Sequence, residues 1–135
     1  MKNFLLTTAM GATLATAAQA ETMTYVLDPS HSQIVFSYNH LGFSTTTGMF
    51  SGFEGSIELD QEDPAASSVS VSFPAKSLIT GWPAREEHFL SEDFFGAEAN
   101  PLVTFTSTSI EITGEETGKI TGDLTMNGIT KSVVL

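Results

Sequence analysis

Three histidines, His31, His40 and His88, are the side chains best suited to move a proton near neutral pH, and the chain has no cysteine. Without a thiol there is no disulfide, no cysteine nucleophile and no Cys-based zinc or iron–sulfur site. His31 and His40 stand an odd number of positions apart. On one regular strand they would face opposite ways and could not share a metal. No H-x-H or H-x-x-x-H pair occurs. Asp28 is placed to hold His31 through a turn, and Glu87 to hold or repel His88. A serine nucleophile needs a strained strand-to-helix elbow, and Gly48-Met49-Phe50-Ser51-Gly52 does not follow G-x-S-x-G. Neither common type of phosphate-binding glycine loop is present. The neighbouring acids Asp60, Glu62 and Asp63, and the pair Glu86 and Glu87, read as solvated charge rather than as a glycosidase pair. The expectation is therefore no enzyme, no catalytic residue and no metal. An enzymatic alternative would need His40 or His88 buried beside a carboxylate with an opening to solvent.

The chain has 135 residues, 16 of them acidic and 5 basic, for a formal net charge of -11. That length suits one domain. The acidity argues against nucleic acid, whose phosphates require Lys and Arg. It also argues against docking to an anionic membrane through a basic patch. Arg85 is the one arginine. A surface salt bridge with a neighbouring Glu is the plain expectation for it, and contact with a polar ligand group is the other.

Met1 to Ala20 reads as a cleavable signal peptide. Lys2 supplies the positive start, Phe4 to Ala17 is apolar or small, and Ala18-Gln19-Ala20 is an A-x-A cleavage signal. The apolar run is short for a membrane span, so no stable membrane insertion is expected. The expected location is the periplasm. The domain that follows covers residues 21–135.

Alternation, not helical periodicity, dominates that domain. In Ser68-Val69-Ser70-Val71-Ser72-Phe73 every apolar residue falls on one face and every serine on the other, as in a half-buried antiparallel strand ended by Pro74. Thr24 to Asp28 reads as a short strand. In a longer one, Ser32, Ile34, Phe36, Tyr38 and His40 share a face. Gly48 to Asp60 reads as one long strand, with Gly52 and Gly55 marking a bulge or sharp coil. Pro101 to Ile112 is another. Gly118 to Met126 and Thr130 to Leu135 form a hairpin around Asn127-Gly128. Glu62 to Ala66 is a surface loop. Trp82 to Leu90 breaks the alternation: Pro83 at the first helical position and acids in the first turn predict a helix of about two turns. Asp93-Phe94-Phe95-Gly96 follows as an apolar plug. Regularly spaced strands imply a sandwich or barrel. Phe36, Phe50, Phe53, Phe73, Phe94, Phe95 and Phe105 fall on inner faces or the plug. They make either a packed aromatic core or the wall of an apolar cavity, and composition leaves both open.

These residues resemble the YceI family of periplasmic proteins. The run Asp28-Pro29-Ser30-His31-Ser32 with Ile34, Phe36 and His40-Leu41-Gly42 is similar to the opening of that family. So are Gly48, Phe50, Phe53, Gly55, Ile57 and Leu59-Asp60. Ser77-Leu78, Thr80, Arg85, His88, Leu90 and Asp93-Phe94-Phe95 match its helix and plug. Pro101, Thr104-Phe105, Gly122-Asp123-Leu124-Thr125, Asn127-Gly128 and Thr130-Lys131 match its later strands. The likeness covers residues 24–135.

The resemblance implies an all-β, antiparallel lipocalin-like barrel with one short helix. It implies a long apolar tunnel for an amphiphilic lipid, such as a polyisoprenoid quinone, with acyl lipids such as fatty-acid amides as the alternative. The bound lipid would be the ligand, with no further cofactor. Strand alternation and the resemblance together give a tunnel wall of Ile34, Phe36, Tyr38, Phe50, Phe53, Ile57, Val71, Phe73, Phe94, Phe105, Leu124 and Met126. Tyr38, His40, Arg85 and His88 are the candidates for the head-group end. The family pattern runs on beyond Val133-Val134-Leu135, so the final strands are expected to be missing, leaving an incomplete barrel. Its unpaired edge would favour association, for instance as a homodimer. A stress-related interaction module with a filled core is the competing non-enzymatic reading.

Overall fold

The computed structural model describes residues 22–135. The leader expected at Met1 to Ala20 lies outside the described residues. Eight strands and one helix follow in order: β1 (Met23–Val26), β2 (Ile34–His40), β3 (Ser44–Phe50), β4 (Glu54–Leu59), β5 (Ser68–Pro74), α1 (Pro83–Leu90), β6 (Leu102–Gly114), β7 (Thr117–Met126) and β8 (Ile129–Val134). Six strands form one antiparallel sheet in the order β1-β4-β5-β6-β7-β8, and β2 with β3 forms a second, two-stranded sheet. The architecture is all-β and of the barrel type, with one short helix. It is unclosed among the described residues: β1 pairs only with β4, and β8 only with β7.

The alternation in β5 fixes which face is inside. Val71 lies opposite Gly55 of β4 and Phe105 of β6, and Phe73 opposite Val103. Phe105 lies in turn opposite Leu124 of β7. Because cross-strand partners share a face, one apolar surface crosses the sheet while the serines of β5 point away. The Asn127-Gly128 turn is as expected. Both residues have positive φ (49° and 69°), the conformation that two-residue hairpins prefer.

The expected single strand from Gly48 to Asp60 is instead two strands in different sheets. The break falls at Gly52, whose φ of 69° suits glycine. There the Ser51 N–H leaves the ladder and donates to Ser77 Oγ at 3.1 Å. Gly55 serves a different purpose: a Cβ there would collide with the Ser70 carbonyl of β5. The two glycines thus mark a change of sheet followed by a close approach of strands. The start of β3 carries no sequence signal. Ser44-Thr45-Thr46-Thr47 has no apolar alternation, yet it pairs in full register with β2, from His40↔Ser44 to Ile34↔Phe50.

Helix α1 starts where Pro83 predicts. The Trp82 carbonyl accepts from the N–H groups of Arg85 and Glu86 at 3.0 and 3.1 Å. The plug closes back on the end of the helix, with Phe95 N–H on the Phe89 carbonyl (3.0 Å) and Ala97 N–H on that of Leu90 (3.0 Å). Phe50, Phe53, Phe73, Ala75, Leu78, Ala97 and Val103 form the buried cluster. Its rings meet at off-parallel angles: Phe53 and Phe73 at 4.6 Å, Phe50 and Phe73 at 5.1 Å, and Phe50 edge-on to Phe95 at 5.3 Å. Such pairs contribute about 0.5–1.5 kcal/mol each beyond burial.

Candidate functional site

The buried cluster does not fill the space inside the fold, and its residues Phe50, Phe53, Phe73 and Val103 also form a wall of what is left open. Beside it lies an apolar cavity of about 370 Å³. The six-stranded sheet contributes Val71, Phe73, Val103, Thr104, Phe105, Leu124, Met126, Val133 and Leu135. Ile34, Phe36 and Phe50 come from the hairpin, Phe53 from the sheet break and Phe95 from the plug. Nine residues of the expected wall are therefore brought together here: Ile34, Phe36, Phe50, Phe53, Val71, Phe73, Phe105, Leu124 and Met126. Ile57 is the exception and lines neither this cavity nor its neighbours. Its register sets it between Tyr25 and Val69, two positions beyond Gly55, where β4 has passed the end of the cavity.

A second space, of about 600 Å³, opens between the far end of the hairpin and α1. The register of β2 with β3 puts Tyr38 opposite Thr46 and His40 opposite Ser44, so all four project to one side. On α1, Arg85, His88 and Phe89 fall at helical spacing and form one stripe. Tyr38, His40, Arg85 and His88 all line this cleft, together with Trp82 and Phe94. The Tyr38 and Phe89 rings stand 5.7 Å apart, and the His88 imidazole meets Phe94 edge-on at 4.9 Å. Between the plug and the β7–β8 end lies a third space of about 400 Å³. It shares Phe94 with the cleft, and Phe95, Leu124, Met126 and Val133 with the apolar cavity. The three form a succession from a mixed polar mouth to an apolar interior.

Arg85 does not make the expected salt bridge. Its Nη1 donates to the Thr80 carbonyl at 3.3 Å, and the ion pairs of the described residues are His31 with Asp28 and Lys76 with Glu98. The neighbouring Glu86 is turned backward. Its carboxylate accepts from the N–H groups of Thr80 at 2.7 Å and Gly81 at 3.1 Å. The Thr80 N–H, foremost among these donors, holds the Glu86 carboxyl below its ordinary range. No carboxylate lines the cleft, and Arg85, which does, has no ion-pair partner among the described residues. His31 is held by Asp28 at 2.7 Å, as the turn between them suggests, but that pair is exposed and away from the cleft. The Ser30 hydroxyl, ahead of His31, lowers the Asp28 pKa. His31 also precedes β2, so the face argument that separated it from His40 does not apply to it. His40 and His88 are exposed, without the buried carboxylate neighbour that an enzymatic reading requires. Among the described residues no group of three or more His, Cys, Asp or Glu is arranged to hold a metal.

Sequence reasoning missed several lining residues. Ser44 and Thr46 were hidden by the unread start of β3. Trp82 and Phe89 were legible as the ends of a helical stripe that includes Arg85 and His88. Val103, Val133 and Leu135 follow from the alternation of their strands once the inner face is fixed.

Comparison with known proteins gives a consistent answer. The YceI-like domain profile matches residues 25–135. A UPF0312 protein of Ectopseudomonas mendocina is 39% identical over 137 residues, spanning 100% of this chain and 71% of that protein. One from Pseudomonas syringae pv. tomato is 36% identical over 137 residues, with the same shares. Among solved structures, the YCEI protein of Campylobacter jejuni is 33% identical, with a TM-score of 0.64, covering 82% of this chain and 65% of that one. BcnA of Burkholderia cenocepacia shares the fold, with a TM-score of 0.69 at 24% identity, covering 76% of this chain and 64% of that one. The chain thus spans slightly less than two thirds of the length of these two solved structures.

Proposed function

The chain belongs to the YceI-like domain family, and on that premise we propose that it is an exported, non-catalytic carrier of an amphiphilic isoprenoid-type lipid such as a polyisoprenoid quinone. The tail occupies the apolar cavity and the head occupies the cleft at Tyr38, His40, Arg85 and His88. The observation that carries this reading is the succession of spaces that share Phe94, Phe95 and Leu124, with polar side chains among the lining at one end and an apolar surface at the other. An amphiphile has that same division. The leader-like sequence at Met1 to Ala20 supports export to the periplasm.

The driving force is removal of the tail from water. Burying on the order of 600 Å² of apolar surface at about 25 cal/mol per Å² gives roughly 15 kcal/mol gross. Association entropy and head-group desolvation offset an amount of similar order, so micromolar affinity or better is reachable. The open space beside the buried cluster favours this reading over an interaction module with a filled core.

The experiment is native mass spectrometry and organic extraction of freshly purified protein, together with uptake of a fluorescent polyprenyl probe. The expected result is a co-purified lipid, or saturable uptake at one site. Absence of both overturns the carrier reading.

A further inference from the structure

The turn between β2 and β3 breaks two rules at once. Leu41 has a φ of 55°, in the left-handed region that a bulky side chain normally avoids, and Gly42 follows at 82°. The turn is closed by the Phe43 N–H on the His40 carbonyl at 3.0 Å. Asn or Gly would suit Leu41's position at lower cost. Leu41 and Phe43 are also the most exposed large apolar side chains of the described residues, at 80% and 89%. Leu41 therefore serves neither the turn nor the core. A strained backbone at such a place points to use.

The location indicates the use. Leu41 to Phe43 sit between His40 and Ser44, which line the cleft. Trp82, the only tryptophan, lines the same cleft and is 60% exposed. The charge pattern fits as well. In a chain with 16 acids, none occurs between Asp28 and Glu54, and none between Ser77 and Arg85. The β2–β3 turn and the turn at Trp82 thus carry no negative charge of their own, and the acids that follow on α1, Glu86 and Glu87, do not line the cleft. Trp beside exposed Leu and Phe is the composition that settles at the level of lipid head groups.

We propose that the β2–β3 turn, through Leu41 and Phe43, together with Trp82, docks the mouth of the cleft on the surface of a lipid bilayer, so that lipid passes between membrane and cavity without crossing water. The proposal rests on the carrier reading and adds its membrane-docking face. The contact is peripheral and reversible. A few apolar side chains entering the head-group layer hold a protein only while they remain there.

The single tryptophan is the probe. The full chain is mixed with vesicles of phosphatidylethanolamine and phosphatidylglycerol in equal parts, carrying brominated acyl chains, and Trp82 emission is followed. The expected result is a blue shift and quenching. In the Leu41→Asn/Phe43→Ser double variant, vesicle partitioning read in this way drops about tenfold or more. Asparagine suits the left-handed turn, so Leu41→Asn alone should fold at least as well as the parent while docking less well. That opposition separates a docking role from a structural one. Trp82 quenching unchanged in the double variant overturns the proposal, as does absence of quenching in the parent. Concentration-dependent self-association in analytical ultracentrifugation, lost in the double variant, would also overturn it, assigning the turn to a second copy. A polyprenyl probe delivered from detergent distinguishes the two readings. Uptake retained by the double variant from detergent but lost from vesicles supports docking. No uptake by the parent from detergent defeats the carrier reading, and Trp82 quenching then judges docking independently.

Discussion

The side-chain amide of Asn127 donates to the main-chain carbonyl of Phe94 at 2.7 Å, joining the β7–β8 turn to the plug, whose Phe94 lines the cleft and whose Phe95 lines the apolar interior. The same side chain accepts at 3.2 Å from Asn100 Nδ2, which also donates to the carbonyl of Gly96 at the end of the plug at 3.3 Å. Asn127 thus has two roles: it takes the left-handed turn conformation (φ 49°), and it positions a wall of the site.

Those roles can be separated by substitution. Asn127→Gly keeps the turn and loses the amide. Asn127→Ala loses the amide and strains the turn. The expected order of stability is Asn, then Gly, then Ala, with a step of about 1 kcal/mol for the lost hydrogen bond. Urea unfolding of the three proteins checks it, and an Ala variant as stable as Asn would contradict it.

Gly48 is where the hairpin shapes the cavity. A Cβ there would stand 2.5 Å from Phe36 Cζ and 3.2 Å from the Ile79 carbonyl. In Gly48→Ala the Phe36 ring must swing away, and Phe36 is a wall of the apolar cavity. The expected cost is about 1–3 kcal/mol of stability, with weaker uptake of the polyprenyl probe. Thermal unfolding and a probe titration on the same sample measure both.

Arg85 is assigned to the head of the ligand and not to its tail. Arg85→Ala should weaken binding of a polyprenyl ligand with a polar head by about tenfold, the usual worth of a hydrogen bond to a charged group. Binding of a headless polyprene hydrocarbon should be unchanged. Equal losses for both ligands would show that Arg85 acts through the fold, by releasing Thr80.

Acid should loosen the loop before α1. The Glu86 carboxyl titrates below its ordinary value of 4.5 in the folded chain, chiefly because the Thr80 N–H donates to it. A lowered folded pKa means that its stabilising contribution is complete above the unfolded value and is lost as pH falls through the folded one. Glu86→Gln removes that titration. Its urea midpoint should therefore fall less steeply than the parent's on acidification below about pH 4.5. Asp28, lowered by the Ser30 hydroxyl and by His31, contributes the same sense of dependence to both proteins. Parallel curves for parent and variant would remove Glu86 from the account.

Much of this molecule is legible in its sequence. The serines and valines of β5, the Pro83 start of α1 and the Asn127-Gly128 turn are local signals, each decided within a few residues by side-chain period, ring closure or backbone sterics. The family pattern added which apolar residues share the interior. Three things needed the tertiary structure. Gly52 and Gly55 announce a disturbance, but only packing of Phe53 into the aromatic cluster shows that the chain changes sheets there. Tyr38 and His40 line one cleft with Arg85 and His88 across a long sequence separation, a juxtaposition that no local period encodes. Whether the inward-facing phenylalanines fill a core or leave a hollow depends on the distance between two surfaces. Composition sets how much apolar area there is, and only the spacing of the sheets sets whether it meets itself or a ligand.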